Sequence, residues 1–160
     1  MTTFFRLVTI LLTLAAVGPG YAVPEREVPY WASISAGDAL MRSGPGREYP
    51  ATWRYQRADL PVKVIQLHES WRKVREMDGT EGWMASVLLS AQRTAIVTGE
   101  TRMLRAAPDA SARVLWRAEP GVVGKVSHCG AGWCEFDVHG KVGFIPVTAI
   151  WGVDQNESIN

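Results

Sequence analysis

Long apolar runs are scarce in this chain. Beyond the amino-terminal stretch, no segment carries enough consecutive apolar residues to cross a bilayer as a helix, so the mature chain is expected to be soluble. Net charge is nearly absent as well, with 17 Lys and Arg against 16 Asp and Glu, and losing Arg6 with a leader would make the two equal. Such a balance supplies no electrostatic footprint for nucleic acid or for an anionic membrane surface. Catalytic signatures are missing: there is no Gly-x-Ser-x-Gly elbow, no phosphate-cradling loop with Lys-Ser or Lys-Thr, and no His-Glu-x-x-His. Acidic residues are spread singly, which isolates no carboxylate pair. A chain without a nucleophile, base or metal cluster is poor material for an enzyme, and nothing in it asks for a cofactor.

What is present is turn chemistry. Fifteen Gly and nine Pro are scattered among short apolar runs, the pattern of an all-β protein with many turns. Residues 1–22 read as a signal peptide: Arg6 precedes the apolar run Leu7 to Val17, and Gly20-Tyr21-Ala22 offers small residues to a signal peptidase. Cleavage is expected after Ala22, with export to a periplasm or the exterior. No Cys lies near that site to carry a lipid anchor. Residues 23–32, with two prolines and alternating charges, are expected to form an extended lead-in.

The remainder repeats itself. Leu40-Met41-Arg42, Ser43-Gly44-Pro45-Gly46, Tyr49-Pro50, Val62 to Leu67, Ser70-Trp71, Asp78-Gly79 and Glu81-Gly82-Trp83 form one ordered set. A second follows as Met103-Leu104-Arg105, Ala106-Ala107-Pro108, Val122 to Val126, Gly132-Trp133, His139-Gly140 and Val142-Gly143-Phe144. The offset slides from 63 (Arg42 to Arg105) through 62 (Trp71 to Trp133) to 61 (Trp83 to Phe144), so single-residue deletions alone separate the copies. A repeat this long marks two small folded units, expected over 33–91 and 92–152, followed by a flexible polar tail over 153–160. Units of this size bury little core, so they are expected to pack together or to need a covalent staple.

Local patterns place the strands. Tyr30, Ala32, Ile34 and Ala36 alternate with their neighbours as in a half-buried strand. In Val62 to Leu67, Val62 and Val64 share one face and Ile65 and Leu67 the other, a phase break that predicts a bulge. Trp71 to Glu76 and Glu81 to Met84 flank Asp78-Gly79 as a hairpin. Val87-Leu88-Leu89 and Thr148 to Trp151 each predict a single helical turn closing their unit.

The ordered set carries a resemblance. An apolar-x-Arg start, a Gly-Pro loop with Tyr, a lone Trp opening a strand and a Gly-Trp closing a hairpin are together similar to the bacterial SH3-like domain. The second copy departs from it by lacking the first Gly and by having Phe144 where the first has Trp83. The resemblance implies an all-β fold of two tandem small SH3-like barrels, covering most of the chain. It implies a non-enzymatic envelope binding protein that recognises a peptide, with peptidoglycan stem peptides as one class of ligand. The alternative is a scaffold that docks onto another envelope protein. By the same resemblance, a groove in the first unit would be lined by Tyr49, Trp53, Tyr55, Trp71 and Trp83. Arg42, Arg47 and Glu48 would meet the charged ends of a ligand.

Seven Trp is a high aromatic load for this length. Trp83 and Trp133 are expected in the core, Trp71 to be partly exposed, and Trp31, Trp116 and Trp151 to join the two units. Cys129 and Cys134 flank Gly130-Ala131-Gly132-Trp133 with the same parity across a hairpin, which in an exported protein favours a disulfide. A metal or redox site built from His128, Cys129, Cys134 and His139, with Asp137, is the sharper alternative. Strand alternation argues against it, because His128 and Cys129 face opposite sides.

Overall fold

The computed structural model describes residues 26–159. The expected signal peptide, its cleavage site and the first residues of the lead-in therefore lie outside the described residues. Among the described residues no helix is long and apolar enough to cross a membrane.

The first unit contains β1 (Tyr30–Ile34), β2 (Ala39–Arg42), β3 (Ala51–Tyr55), β4 (Pro61–His68), β5 (Trp71–Arg75), β6 (Glu81–Ala85) and β7 (Leu89–Ser90). The second contains β8 (Thr94–Val97), β9 (Arg102–Arg105), β10 (Val114–Ala118), β11 (Val123–Gly130), β12 (Trp133–Val138), β13 (Lys141–Pro146) and β14 (Ile150–Trp151). Single 3₁₀ turns, Ser86–Leu88 and Val147–Ala149, stand where the helical turns were expected. Strand β1 begins at Tyr30, so the last residues of the expected lead-in belong to the sheet.

Both sheets have seven strands and one spatial order. It runs β3-β2-β6-β5-β4-β1-β7 in the first and β10-β9-β13-β12-β11-β8-β14 in the second, which is the same order copied. The phase break in β4 is a bulge, with register slipping between Val64 and Gln66. Each sheet rolls around its own core. One core gathers Ile34, Met41, Val62, Val64, Val74 and Met84, and the other Val97, Leu104, Val126, Phe136, Ile145 and the two cysteines.

Two local devices recur in both units and explain the repeated residue types. A Cβ on Gly82 would stand 2.4 Å from the Met41 side chain, and one on Gly143 would stand 2.8 Å from Leu104. The glycine of each closing hairpin thus lets the strand approach the buried residue of β2 or β9. The Arg that ends β2, Arg42, donates from Nη1 to the Tyr49 carbonyl at 2.7 Å, and Arg105 donates likewise to the Ala112 carbonyl at 2.7 Å. Each Arg pins the loop that follows it.

The barrels meet through aromatic and charged contacts. Trp31 and Trp151 pack edge to face with ring centroids 4.8 Å apart, and Lys63 pairs with Asp154 at 2.7 Å beside them. Arg57 donates to the Gly121 carbonyl at 3.1 Å. Trp31 and Trp151 therefore do join the units, but Trp116 does not. Its ring stays within the second barrel, donating from Nε1 to the Val142 carbonyl at 3.2 Å. Trp83 and Trp133 are only half-buried and lie outside both cores, a correction to their expected placement.

The polar tail is held rather than free. Glu157 pairs with Arg93 at 2.5 Å, and the Ile159 N–H donates to the Cys129 carbonyl at 3.1 Å, bridging onto β11. The flexible segment expected over 153–160 is thus anchored as far as Ile159.

Candidate functional site

Register decides which side chains share a face. Arg42 lies opposite Trp83, Trp83 opposite Lys73, and Trp71 opposite Ala85. Residues two apart on a strand point the same way, so Leu40, Arg42, Lys73, Trp71, Trp83 and Ala85 occupy one outer face of the first barrel. Met41, Val74 and Met84 point inward from the same strands and anchor that face to the core.

On this face the Gly-Pro loop folds back toward β5 and leaves a continuous groove with two lobes. The smaller, about 240 Å³, is lined by Leu40, Arg42, Arg47, Trp71, Val87 and Leu88. The larger, about 520 Å³, is lined by Pro45, Arg47, Glu48, Glu69, Trp71 and Val87. Trp71, Arg47, Ala85 and Val87 belong to both lobes, so the indole of Trp71 stands at the centre of the groove. Val87, at 83% exposed, forms an apolar rim beside it. The loop wall is held from below: Arg42 also donates to the Arg47 carbonyl at 3.2 Å, and the Tyr49 ring fills the space that a Cβ on Gly44 would take.

Charge on the face is partly neutralised. Lys73 and Arg75 both reach the Glu81 carboxylate, at 2.8 and 2.7 Å. Hydrogen bonds from these two cations hold Glu81 below the usual carboxylate range. Arg47 and Glu48 on the loop, with Glu69 opposite, place charges of both signs around an apolar centre. An open groove of this kind suits an extended segment with charged flanks.

Of the eight residues expected to form the site, the structure brings Arg42, Arg47, Glu48, Trp71 and Trp83 to this face. Tyr49 lies in the loop, its ring turned onto Gly44. Trp53 and Tyr55 lie elsewhere, because β3 pairs Trp53 with Met41 and Tyr55 with Ala39, both on the inward side of β2. Tyr55 is buried at the barrel end and donates its hydroxyl to Glu76. Burial pushes the pKa of both groups up, first for Tyr55 and also for Glu76, where the hydrogen bond from Tyr55 works in the opposite direction. Trp53, at 60% exposed, sits on the sheet-edge strand away from the groove.

Val87 and Glu69 were not singled out from the sequence. Neither sits on a regular strand, so alternation gives their direction no signal. Their flanking position, one before Ser70-Trp71 and one after the Gly-Trp hairpin, was the one available clue.

The second barrel keeps Arg105 and Trp133 but has Ala110, Ser111 and Thr148 where the first has Arg47, Glu48 and Val87. Its distinguishing feature is the Cys129–Cys134 disulfide, with Cα atoms 4.1 Å apart. Both thiols are consumed by that bond. His128 lies on the solvent side 3.6 Å from Glu135, whereas His139 belongs to the β12–β13 turn. Among the described residues no three His, Cys, Asp or Glu side chains gather to hold a metal.

Comparison with known proteins follows the duplication. A family model described as the bacterial SH3 domain matches residues 35–91 and, again, residues 99–152. No curated protein matches the chain. Among solved structures, it is similar to NlpC2 from Trichomonas vaginalis, with 10% identity and a TM-score of 0.35 over 79% of this chain and 49% of that one. NlpC1 from Trichomonas vaginalis gives 11% identity and a TM-score of 0.35 over 81% of this chain and 48% of that one. The chain spans about half the length of these structures, and the overlap is too loose to bear on function.

Proposed function

The chain belongs to the bacterial SH3 domain family, represented twice, and from that premise we propose that it binds a peptide in the Trp71 groove of its first barrel, without catalysing a reaction. The observation that carries this reading is the groove itself. An indole that a folded unit would otherwise bury stands between an apolar rim at Val87 and a loop bearing Arg47 and Glu48. Rings offer contact area at low entropic cost, and flanking charges fix the direction of an extended chain. The second barrel has small or neutral residues at the three matching positions, so binding is assigned to the first barrel.

The leader-like residues 1–22 support export, and an exported bacterial binding module meets peptides chiefly in the cell envelope. Peptidoglycan stem peptides, which carry both carboxylates and amines, fit a groove edged by both signs of charge. Co-sedimentation with purified sacculi tests this: wild type is expected in the pellet and Trp71→Ala in the supernatant. If wild type stays in solution, wall binding is wrong.

One observation favours a second reading, docking onto another envelope protein. Trp53 is exposed on β3, a sheet-edge strand whose free backbone groups can pair with another chain. Under that reading, Trp53→Ala rather than Trp71→Ala abolishes partner capture.

A further inference from the structure

A second cavity, of about 520 Å³, lies between the barrels and outside the groove. Its floor is a row across the second sheet: Lys125 of β11 stands opposite Thr94 of β8 on one side and Asp137 of β12 on the other. Directly opposed residues share a face, so all three point toward the cleft. The turn after β3 in the first barrel, carrying Arg57 and Asp59, closes it from the other side. Arg57 is steadied there by its bond to the Gly121 carbonyl.

The first barrel fills the equivalent row differently. There Lys63 stands opposite Trp31 and Arg75. The Trp31 ring occupies the space against Trp151, and Asp154 neutralises Lys63. In the second barrel Thr94 replaces Trp31 and Asp137 replaces Arg75, so an indole gives way to a hydroxyl and a cation to a carboxylate. Thr94 is 2% exposed and is among the residues that line the cleft, and its buried hydroxyl has no hydrogen-bond partner. A buried, unpartnered hydroxyl is costly unless something else meets it.

The charges around that hydroxyl are mixed. Lys125 and Arg57 are cationic, while Asp59 and Asp137 are anionic, with one Asp137 oxygen already accepting the Gly140 N–H at 2.6 Å. A simple anion would face the two carboxylates, and a simple cation the two basic groups. A ligand bearing both charges satisfies all four. We propose that the cleft between the barrels is a second binding site, built for a small zwitterion that presents an ammonium and a carboxylate together, with Thr94 Oγ1 as the buried polar anchor.

Calorimetric titration of the full chain tests this with alanine, alanyl-alanine, N-acetyl-alanyl-alanine and alanyl-alanine amide. At least one of the two zwitterions is expected to bind, the tighter one showing whether a free amino acid or a dipeptide fits. Blocking either charge should weaken binding about tenfold or more, as loss of a charge-assisted hydrogen bond does, and Lys125→Met should do the same. Thr94→Val separates binding from structure: it should raise the melting temperature by removing an unpartnered buried hydroxyl and yet weaken binding. Trp71→Ala should leave the affinity for these probes unchanged, so the cleft and the groove stand or fall separately. The proposal is overturned if neither zwitterion binds, if the blocked forms bind equally well, or if Trp71→Ala abolishes the heat.

Discussion

Opening the Cys129–Cys134 bridge should cost the second barrel a large share of its stability. The bond closes a loop running from residue 129 to 134, and in the chain-entropy model a loop that short contributes about 2 kcal/mol. Both sulfurs also pack in the core, with Cys129 4% exposed and Cys134 fully buried. Replacing both by Ala removes those atoms as well, which takes the expected loss to about 3 kcal/mol. For a unit this small, 2 kcal/mol corresponds to a fall in melting temperature of roughly 8–16 °C. Urea unfolding of oxidised wild type, reduced wild type and the Cys129→Ala/Cys134→Ala variant should therefore give midpoints in descending order. A thiol count on unreduced protein should find no free thiol. The reasoning is refuted if reduction leaves the midpoint where it was, or if unreduced protein titrates with thiol reagents.

Two further predictions concern carboxylates. Burial raises the Glu76 pKa above its unfolded value, so its share of stability is present at low pH and lost as pH rises through the folded value. Glu76→Gln, which still accepts the Tyr55 hydroxyl, should stabilise the protein more at pH 7 than at pH 4; a larger gain at pH 4 in urea melts would contradict the assignment. Glu157 is shifted the other way, held low by its hydrogen bonds from Arg93, so the stability it contributes is lost as pH falls through the folded value. Glu157→Gln should free the tail, seen as faster hydrogen exchange at the Ile159 amide, and unchanged exchange there would show that the ion pair does not anchor it.

Much of the fold was legible because it depends on local rules. The Val64 to Ile65 phase break announced a bulge, the Cys pair announced its own bond by parity, and the repeated Arg and Gly marked devices used twice. The site was less legible. Trp53 and Tyr55 look like groove residues by proximity to the Gly-Pro loop, but their direction depends on register with β2, and pairing with Met41 and Ala39 turns them away. Trp83 and Trp133 were expected in the core, but register puts Trp83 opposite Arg42 and Lys73 on the outer face and Trp133 opposite Pro146 at a strand end. The docking of the tail depends on Arg93, 64 residues before Glu157 in the chain, a separation that no local pattern spans.

The account rests on the first barrel having kept a ligand face that its copy has lost. Heteronuclear NMR of the indole N–H signals during titration with soluble peptidoglycan stem peptide tests that directly. The Trp71 and Trp83 signals should shift together and saturably while Trp133 stays fixed. Movement of Trp133 alone, or of no indole at all, would contradict it.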